Sequence, residues 1–279
     1  MEYPKAYDSH FHLDRTLKAL HLVSTGTLED ILSRVIVKES KRVTLTGAVA
    51  IFCDPKTYPT EEGLADLPEH IPVGIGYHPR HAQINHGIGK GNVEDIKRLL
   101  QHPKVVALGE IGIDHTEPMV HWASQVQVLE QLLPFLEDRH VLVLHCRGMQ
   151  RDDGTEAYLL LLHFLKKHVR SRHRIHLHCF TGDQYVLKKW LMVFPNTRFG
   201  FTNLVRSFTS DQIHALQEIG DHQILLESDA PYFPVRGTSK TSTPGLLYYA
   251  AEAVAVHRKT TAEKILEISL DNGKNLYQC

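Results

Sequence analysis

Eight short strand-like stretches punctuate this chain, the first within residues 7–14 and the others apolar runs at 45–52, 71–77, 105–109, 141–144, 175–177, 197–201 and 223–226. Each has the length of a strand, and most are followed by a segment whose apolar residues recur at helical spacing. The clearest such segments are 93–100, 124–136, 156–169, 184–193 and 210–219, with an earlier one marked by Leu28, Ile31, Leu32 and Val35 at the helix start Thr25-Gly26-Thr27-Leu28-Glu29-Asp30. Strands alternating with helices form parallel βαβ units, and eight units predict a closed (β/α)8 TIM barrel of the α/β class. Residues from Pro244 onward read as two closing helices, the second starting at Thr261. The chain has 279 residues, close to the ~250 typical of one such barrel. It shows no linker, repeat or low-complexity tract, so residues 1–279 are expected to be a single domain.

The polar residues that end these runs constrain function. His10 and His12 are two apart on a strand and therefore project to one face, a half-site for a divalent metal. Glu110, His145, His178 and Asp229 end or follow the fourth, fifth, sixth and eighth runs. In a (β/α)8 barrel the C-terminal ends of the strands form the mouth where active sites are built. Packed strand bodies have no structural need to end in histidine or carboxylate at five places, and clustering of these types marks a metal or catalytic site. Four imidazoles and two carboxylates suit Zn²⁺, Mn²⁺ or similar ions better than an all-oxygen Mg²⁺ cage.

Five stretches carry a resemblance: Tyr7-Asp-Ser-His-Phe-His-Leu-Asp14, Ala107-Leu-Gly-Glu-Ile-Gly-Ile-Asp114, Val143-Leu-His-Cys-Arg147, His178-Cys-Phe-Thr-Gly182 and Leu226-Glu-Ser-Asp-Ala-Pro231. In this order they resemble the TatD-type metal-dependent deoxyribonucleases of the amidohydrolase superfamily. The resemblance implies two divalent metal ions (Zn²⁺, Mn²⁺ or Mg²⁺) at the strand ends. It assigns His10, His12 and Asp229 to one ion and His145 and His178 to the other, with Glu110 bridging. A bridging water of lowered pKa and a clamp on both ends of a phosphoryl displacement would follow. Asp229 would orient that water and accept its proton, making Asp229 and Glu110 the catalytic carboxylates.

The expected function is therefore a divalent-metal phosphodiesterase, a deoxyribonuclease trimming single-stranded or frayed DNA ends. A carboxylic ester, lactone or amide hydrolase with the same binuclear site is the alternative, because the same water attacks carbonyls. A non-catalytic metal-bound scaffold comes third, disfavoured because no ligand position is missing. His78 and Arg147 are the candidate phosphate contacts.

Other neighbours carry two readings each. Asp8 either orients a ligand histidine or caps a local turn, and Glu227 has the same ambiguity. His176 reads as a hydrogen-bonded core histidine one layer below His178, and Phe180 as core in preference to a base-stacking platform. Arg236 and Lys240 lie in the glycine- and threonine-rich loop 235–245, near where barrels often bind phosphate, or are simply solvated there. A second loop, 85–92, is also a candidate for mobility. His115 replaces the family's frequent tyrosine, His140 its usual proline, and Arg147-Gly148-Met149 departs from its small-then-acidic continuation. These departures bear on the substrate more than on the metals.

Composition sets the remaining bounds. The formal net charge is −1, so no global basic field gathers nucleic acid, and phosphate attraction must be local. No apolar run approaches a membrane span and residues 1–5 do not resemble a signal peptide. Cys53, Cys146, Cys179 and Cys279 lack Cys-x-x-Cys spacing and are expected to be reduced thiols of a cytoplasmic, or else nuclear, protein.

Overall fold

The computed structural model describes residues 2–278 except Arg151, Asp153 and Ser239; Cys279 and one position of the 235–245 loop thus lie outside the described residues. Its eight strands are β1 (Lys5–Phe11), β2 (Thr44–Phe52), β3 (Val73–Ile75), β4 (Val105–Asp114), β5 (Val141–Arg147), β6 (Ile175–Leu177), β7 (Thr197–Phe201) and β8 (Ile224–Leu226). The helices between them are α1 (Leu13–Ala19) and α2 (Leu28–Ser33) after β1, α3 (Glu61–Asp66), α4 (Lys90–Leu99), α5 (Trp122–Leu132), α6 (Thr155–His168), α7 (Gln184–Val193) and α8 (Ser210–Glu218). Then come α9 (Leu247–Arg258) and α10 (Ala262–Tyr277) after β8. The strands form one sheet in the order β1 to β8, with parallel pairing from β3 to β6 and within β1–β2 and β7–β8. The Asp229 amide donates to His10 O at 3.0 Å, and Ser9 Oγ to Leu226 O at 2.7 Å, bringing the end of the sheet back to β1. The architecture is a (β/α)8 TIM barrel.

The helices begin where capping chemistry allows. Thr27, Thr209 and Thr261 side chains accept from the third amide of α2, α8 and α10, and Asp183 does so for α7. Two starts differ from expectation by a few residues: α4 begins at Lys90 and α5 at Trp122. The 85–92 segment is a turn pinned by a Gln83–Gly87 bridge, by Ser124 Oγ on the Asn85 amide and by Gln131 Oε1 on the Ile88 amide. Among the described residues no helix is long and apolar enough to cross a membrane.

By its internal contacts the chain divides into two units. The first comprises residues 1–51, 68–72 and 199–279, the second 52–67 and 73–198. In the first, β1 and β8 are covered by α10, whose Gly273 lies against the ring of Tyr7 and whose Asn272 amide donates to Ile224 O at 2.8 Å. In the second, the interior is aliphatic: Ala107, Leu108, Ile111, Val141 through Leu144, Ile175 and Leu177 are all fully buried. Burying this surface provides the drive to fold. It also leaves the polar residues past the strand bodies as the chemically active layer.

The fourth strand departs most from expectation. β4 does not stop at Gly109 but runs on to Asp114, with its register against β5 shifted between Leu108 and Ile111. Glu110 sits at that irregularity, inside the strand. Glycines make room for it. Gly109 has φ +146°, and a Cβ there would overlap the carbonyl oxygen of Val143; a Cβ on Gly76 would lie 2.5 Å from the Glu110 amide nitrogen.

Candidate metal centre

Each unit assembles its own set of donors. In the first unit, His10 is the penultimate residue of β1, and His12 follows the strand as the extended cap of α1. Their rings meet edge to face with centroids 5.1 Å apart, so the same-face expectation for the pair holds beyond the strand's end. Asp229 is reached by a turn after β8 in which it adopts a left-handed backbone, φ +45°, a conformation aspartate tolerates better than most residues. The His10 carbonyl and the Asp229 amide are hydrogen-bonded, as are Ala230 O and the His12 amide, so the backbone itself aligns the three side chains.

His12 Nδ1 lies 3.1 Å from Ile51 O. A carbonyl only accepts, so Nδ1 carries the proton and Nε2 presents its lone pair. Nε2 of His12 is 3.4 Å and Nε2 of His10 3.7 Å from the same Asp229 Oδ1. These gaps are long for hydrogen bonds, but donors about 2.1 Å from a shared ion at tetrahedral angles stand about 3.4 Å apart. Asp229 is 5% exposed, and its Oδ1 has no hydrogen-bond partner among the described residues. A buried carboxylate oxygen without a donor is costly. A divalent cation removes that cost, so the residues fit the ion.

In the second unit, Glu110 is 1% exposed and receives several groups at once. Its Oε1 is 2.6 Å from His145 Nδ1, 3.0 Å from His178 Nε2 and 3.5 Å from His78 Nε2. The Cys53 thiol reaches Oε2 at 3.4 Å. Donor atoms of Glu110, His145 and His178 all lie within 4.8 Å of one another, as a shared ion requires. Burial by itself pushes the Glu110 carboxyl up. His178 and His78, with the bond from His145, outweigh it and hold the group well below the usual carboxylate range. This site is thus arranged for an ionised, ligand-ready carboxylate.

Of the expected substrate contacts, His78 is buried and its orientation is set: Nδ1 accepts from the Arg80 amide at 3.1 Å and from Arg80 Nε at 3.2 Å. Its Nε2 is therefore the donor, directed at Glu110. Arg147 is the last residue of β5 and is exposed, without a side-chain hydrogen bond or ion pair among the described residues. Arg236 and Lys240 are exposed. Phe180 is buried edge-on against Tyr158, as a core residue.

His176 is fully buried in β6. Asp8 proves to be a backbone cap: Oδ1 accepts from the His10 and Ser228 amides at 3.2 and 2.9 Å. Burial raises its carboxyl to about 7. Glu227 is fully buried just past β8. His140 is structural, accepting from the Glu137 amide at Nδ1 and donating from Nε2 to Leu100 O.

Two residues escaped the sequence reading. Asp114 Oδ2 lies 3.4 Å from His145 Nε2, on the far side of the ring from Glu110. Its Oδ1 accepts from the Thr116 amide and hydroxyl, and Gln125 clamps both its backbone groups. An imidazole held between a ligand carboxylate and a second, pinned carboxylate is the arrangement that fixes a metal-ligating histidine. Its position at the end of the 107–114 stretch that carries the resemblance was the available signal. The other is Arg15, whose Nη1 is 3.3 Å from His12 Nε2; only its place one turn into α1 hinted at that.

The family described as TatD related DNase matches residues 7–278. The chain belongs to that family. Among curated TatD relatives, the human 3'-5' RNA nuclease TATDN2 is 32% identical over 97% of this chain, which spans 35% of that protein's length. The 3'-5' ssDNA/RNA exonuclease TatD of Musicola paradisiaca is 28% identical over 66% of this chain and 69% of its own. The crystal structure of YjjV, a TatD homologue from Escherichia coli K12, superposes with a TM-score of 0.76 at 19% identity, covering 98% of each chain. TatD membership and the donor sets together make this a metal-dependent hydrolase.

Proposed function

We infer that this hydrolase cleaves phosphodiester bonds of single-stranded nucleic acid, trimming DNA ends, and that residues 1–279 act as one catalytic domain. Two divalent ions are proposed, the first held by His10, His12 and Asp229, the second by His145, His178 and Glu110. The observation that carries this reading is Asp229 Oδ1, buried, facing two imidazole nitrogens and lacking a hydrogen-bond donor. Divalent ions there would supply a water of lowered pKa and a counter-charge for the phosphoryl oxygens. Asp229 would orient that water and accept its proton. His78, with Nδ1 occupied by Arg80, donates from Nε2, and the exposed Arg147 offers a guanidinium fork to a substrate phosphate.

Phosphodiesters are favoured over carboxylic esters because both relatives named above are nucleases and because Arg147 offers a cationic contact. The 3'-5' polarity of those relatives supports attack from the 3' end, and a net charge of −1 argues against a tight grip on long duplex. The test is metal-stripped protein reloaded in parallel with Mg²⁺, Mn²⁺ or Zn²⁺ and assayed on single-stranded DNA, RNA and p-nitrophenyl acetate. Turnover of an oligonucleotide in at least one metal, and none without metal, is expected. Turnover of the ester alone would replace the nuclease reading with the esterase one.

A further inference from the structure

Past the end of β4 the second unit presents a partly exposed aromatic and apolar surface that the metal residues do not use. His115, one of the positions that depart from the family pattern, stacks on Trp122, the first residue of α5. Their ring centroids are 3.8 Å apart and the planes 16° from parallel. Both residues are half-buried. The indole is held in place by its own Nε1–H, which donates to Glu117 O at 2.9 Å. One turn ahead of it, Met119 and Val120 are 72% and 58% exposed. A connection from strand to helix needs none of this, since polar turn residues serve that purpose.

The surface adjoins the candidate centre. Asp114, the residue before His115, lies 3.4 Å from His145 Nε2. The His115 amide donates to Arg147 O at 2.9 Å, and Arg147 is two residues beyond His145 on β5. Charge then sorts what each place accepts. Burial lowers the His115 imidazole from its ordinary 6.5 and keeps it neutral at pH 7, and its charged neighbours are the carboxylates of Asp152, Asp114 and Glu156. They repel a phosphate but not an uncharged flat ring. The phosphate finds its cation at the neighbouring strand end, where Arg147 is exposed.

The geometry points to the His115–Trp122 pair, extended by Met119 and Val120, as a shelf for a nucleobase of the substrate, beside the phosphodiester that Arg147 engages. It rests on the nuclease reading above and deepens it by naming the part of the substrate gripped outside the metal residues. Indole, imidazole and thioether groups all pack on the π-face of a base, and such stacking discriminates little between bases. Rings already stacked and hydrogen-bonded into their loop lose little freedom when a base arrives.

The test uses the Mg²⁺-loaded full chain as wild type, Trp122→Leu, Trp122→Phe and Met119→Ser. The probes are phosphorothioate-linked hexathymidylate and an abasic oligomer of the same length and charge. Trp190, the other of the two tryptophans, is fully buried, so quenching of fluorescence on binding reports on Trp122. Hexathymidylate is expected to quench the wild type and the abasic oligomer to leave it bright. Trp122→Leu should lose the quenching and bind hexathymidylate about 5- to 150-fold more weakly, the weight of one stacked base. Its affinity for the abasic oligomer should stay within twofold. Trp122→Phe should retain most of the affinity, and Met119→Ser, a change on the surface, should weaken hexathymidylate alone.

Equal wild-type affinity for the two probes, binding of hexathymidylate without quenching, or equal weakening of both probes in Trp122→Leu would overturn the shelf. Should any of these occur while the wild type still cleaves an ordinary oligonucleotide, the shelf fails and the nuclease reading stands. Binding of neither probe, with turnover of p-nitrophenyl acetate alone, would remove both.

Discussion

Asp114 shows how much of this site depends on a single side chain outside the ligand set. Its carboxylate is held ionised, below the usual aspartate range: burial alone would raise it, but the bond to His145 and the two bonds from Thr116 prevail. Paired with His145 Nε2, it directs Nδ1 toward Glu110 and the ion. Asp114→Asn keeps the size and an acceptor but loses the charge. It should weaken binding of the ion proposed at His145 and His178 by about 10- to 100-fold while leaving the one proposed at His10 and His12 unchanged, as read by competition with a chelator. Equal weakening of both would place Asp114 in general folding instead. The sequence displayed the candidate donors His10, His12, Glu110, His145, His178 and Asp229 because they sit in short motifs at or beside strand-length stretches. Asp114 was harder to see because its contact with His145 depends on an approach between side chains, which neither spacing nor composition encodes.

At the scale of the element, β4 carries the greatest demand. A strand that continues past a buried carboxylate must open its register there, and the backbone of Gly76 fits against the Gly109–Glu110 segment where a Cβ would collide with main-chain atoms. Main chain cannot swing aside as a long side chain can. Gly76→Ala should therefore cost about 1–3 kcal/mol of stability, the usual range for overpacking, and should also lower metal content, because the strain falls on Glu110. Thermal unfolding with parallel elemental analysis checks both; a stability loss at full metal content would uncouple Gly76 from the site. The alternation of runs and amphipathic segments made the order of strands and helices legible, since each period reports which face is buried. Strand ends were not legible: β4 extends to Asp114 and β5 to Arg147 because pairing between the two strands continues after the apolar pattern stops.

Across the whole molecule, acid stability is set in part by histidines outside the candidate donor sets. His140 and His173 are buried in the second unit, and burial lowers both from their ordinary 6.5. His140 is satisfied only as the neutral tautomer, since protonation would set a second N–H against the Glu137 amide. Above about pH 7.5 both folded and unfolded chains are neutral at these positions. As pH falls through about 6.5, the unfolded chain binds protons that the folded chain refuses, so stability is lost on acidification. Asp8 and His145, whose pKa values are raised, act in the opposite direction, so the expected outcome is a difference: between pH 7.5 and 5.5 the Tm of the wild type should fall relative to that of His140→Gln, and parallel slopes would remove His140 from this account.

The central claim, hydrolysis by a metal-activated water under the control of Asp229, is tested most directly by turnover of a single-stranded DNA oligonucleotide by Asp229→Asn carrying its normal metal content. The substitution keeps the size and one coordinating oxygen and removes the base. The account predicts a loss of at least about 100-fold, the lower end of general-base contributions. Near-wild-type turnover with the metals still bound would contradict it.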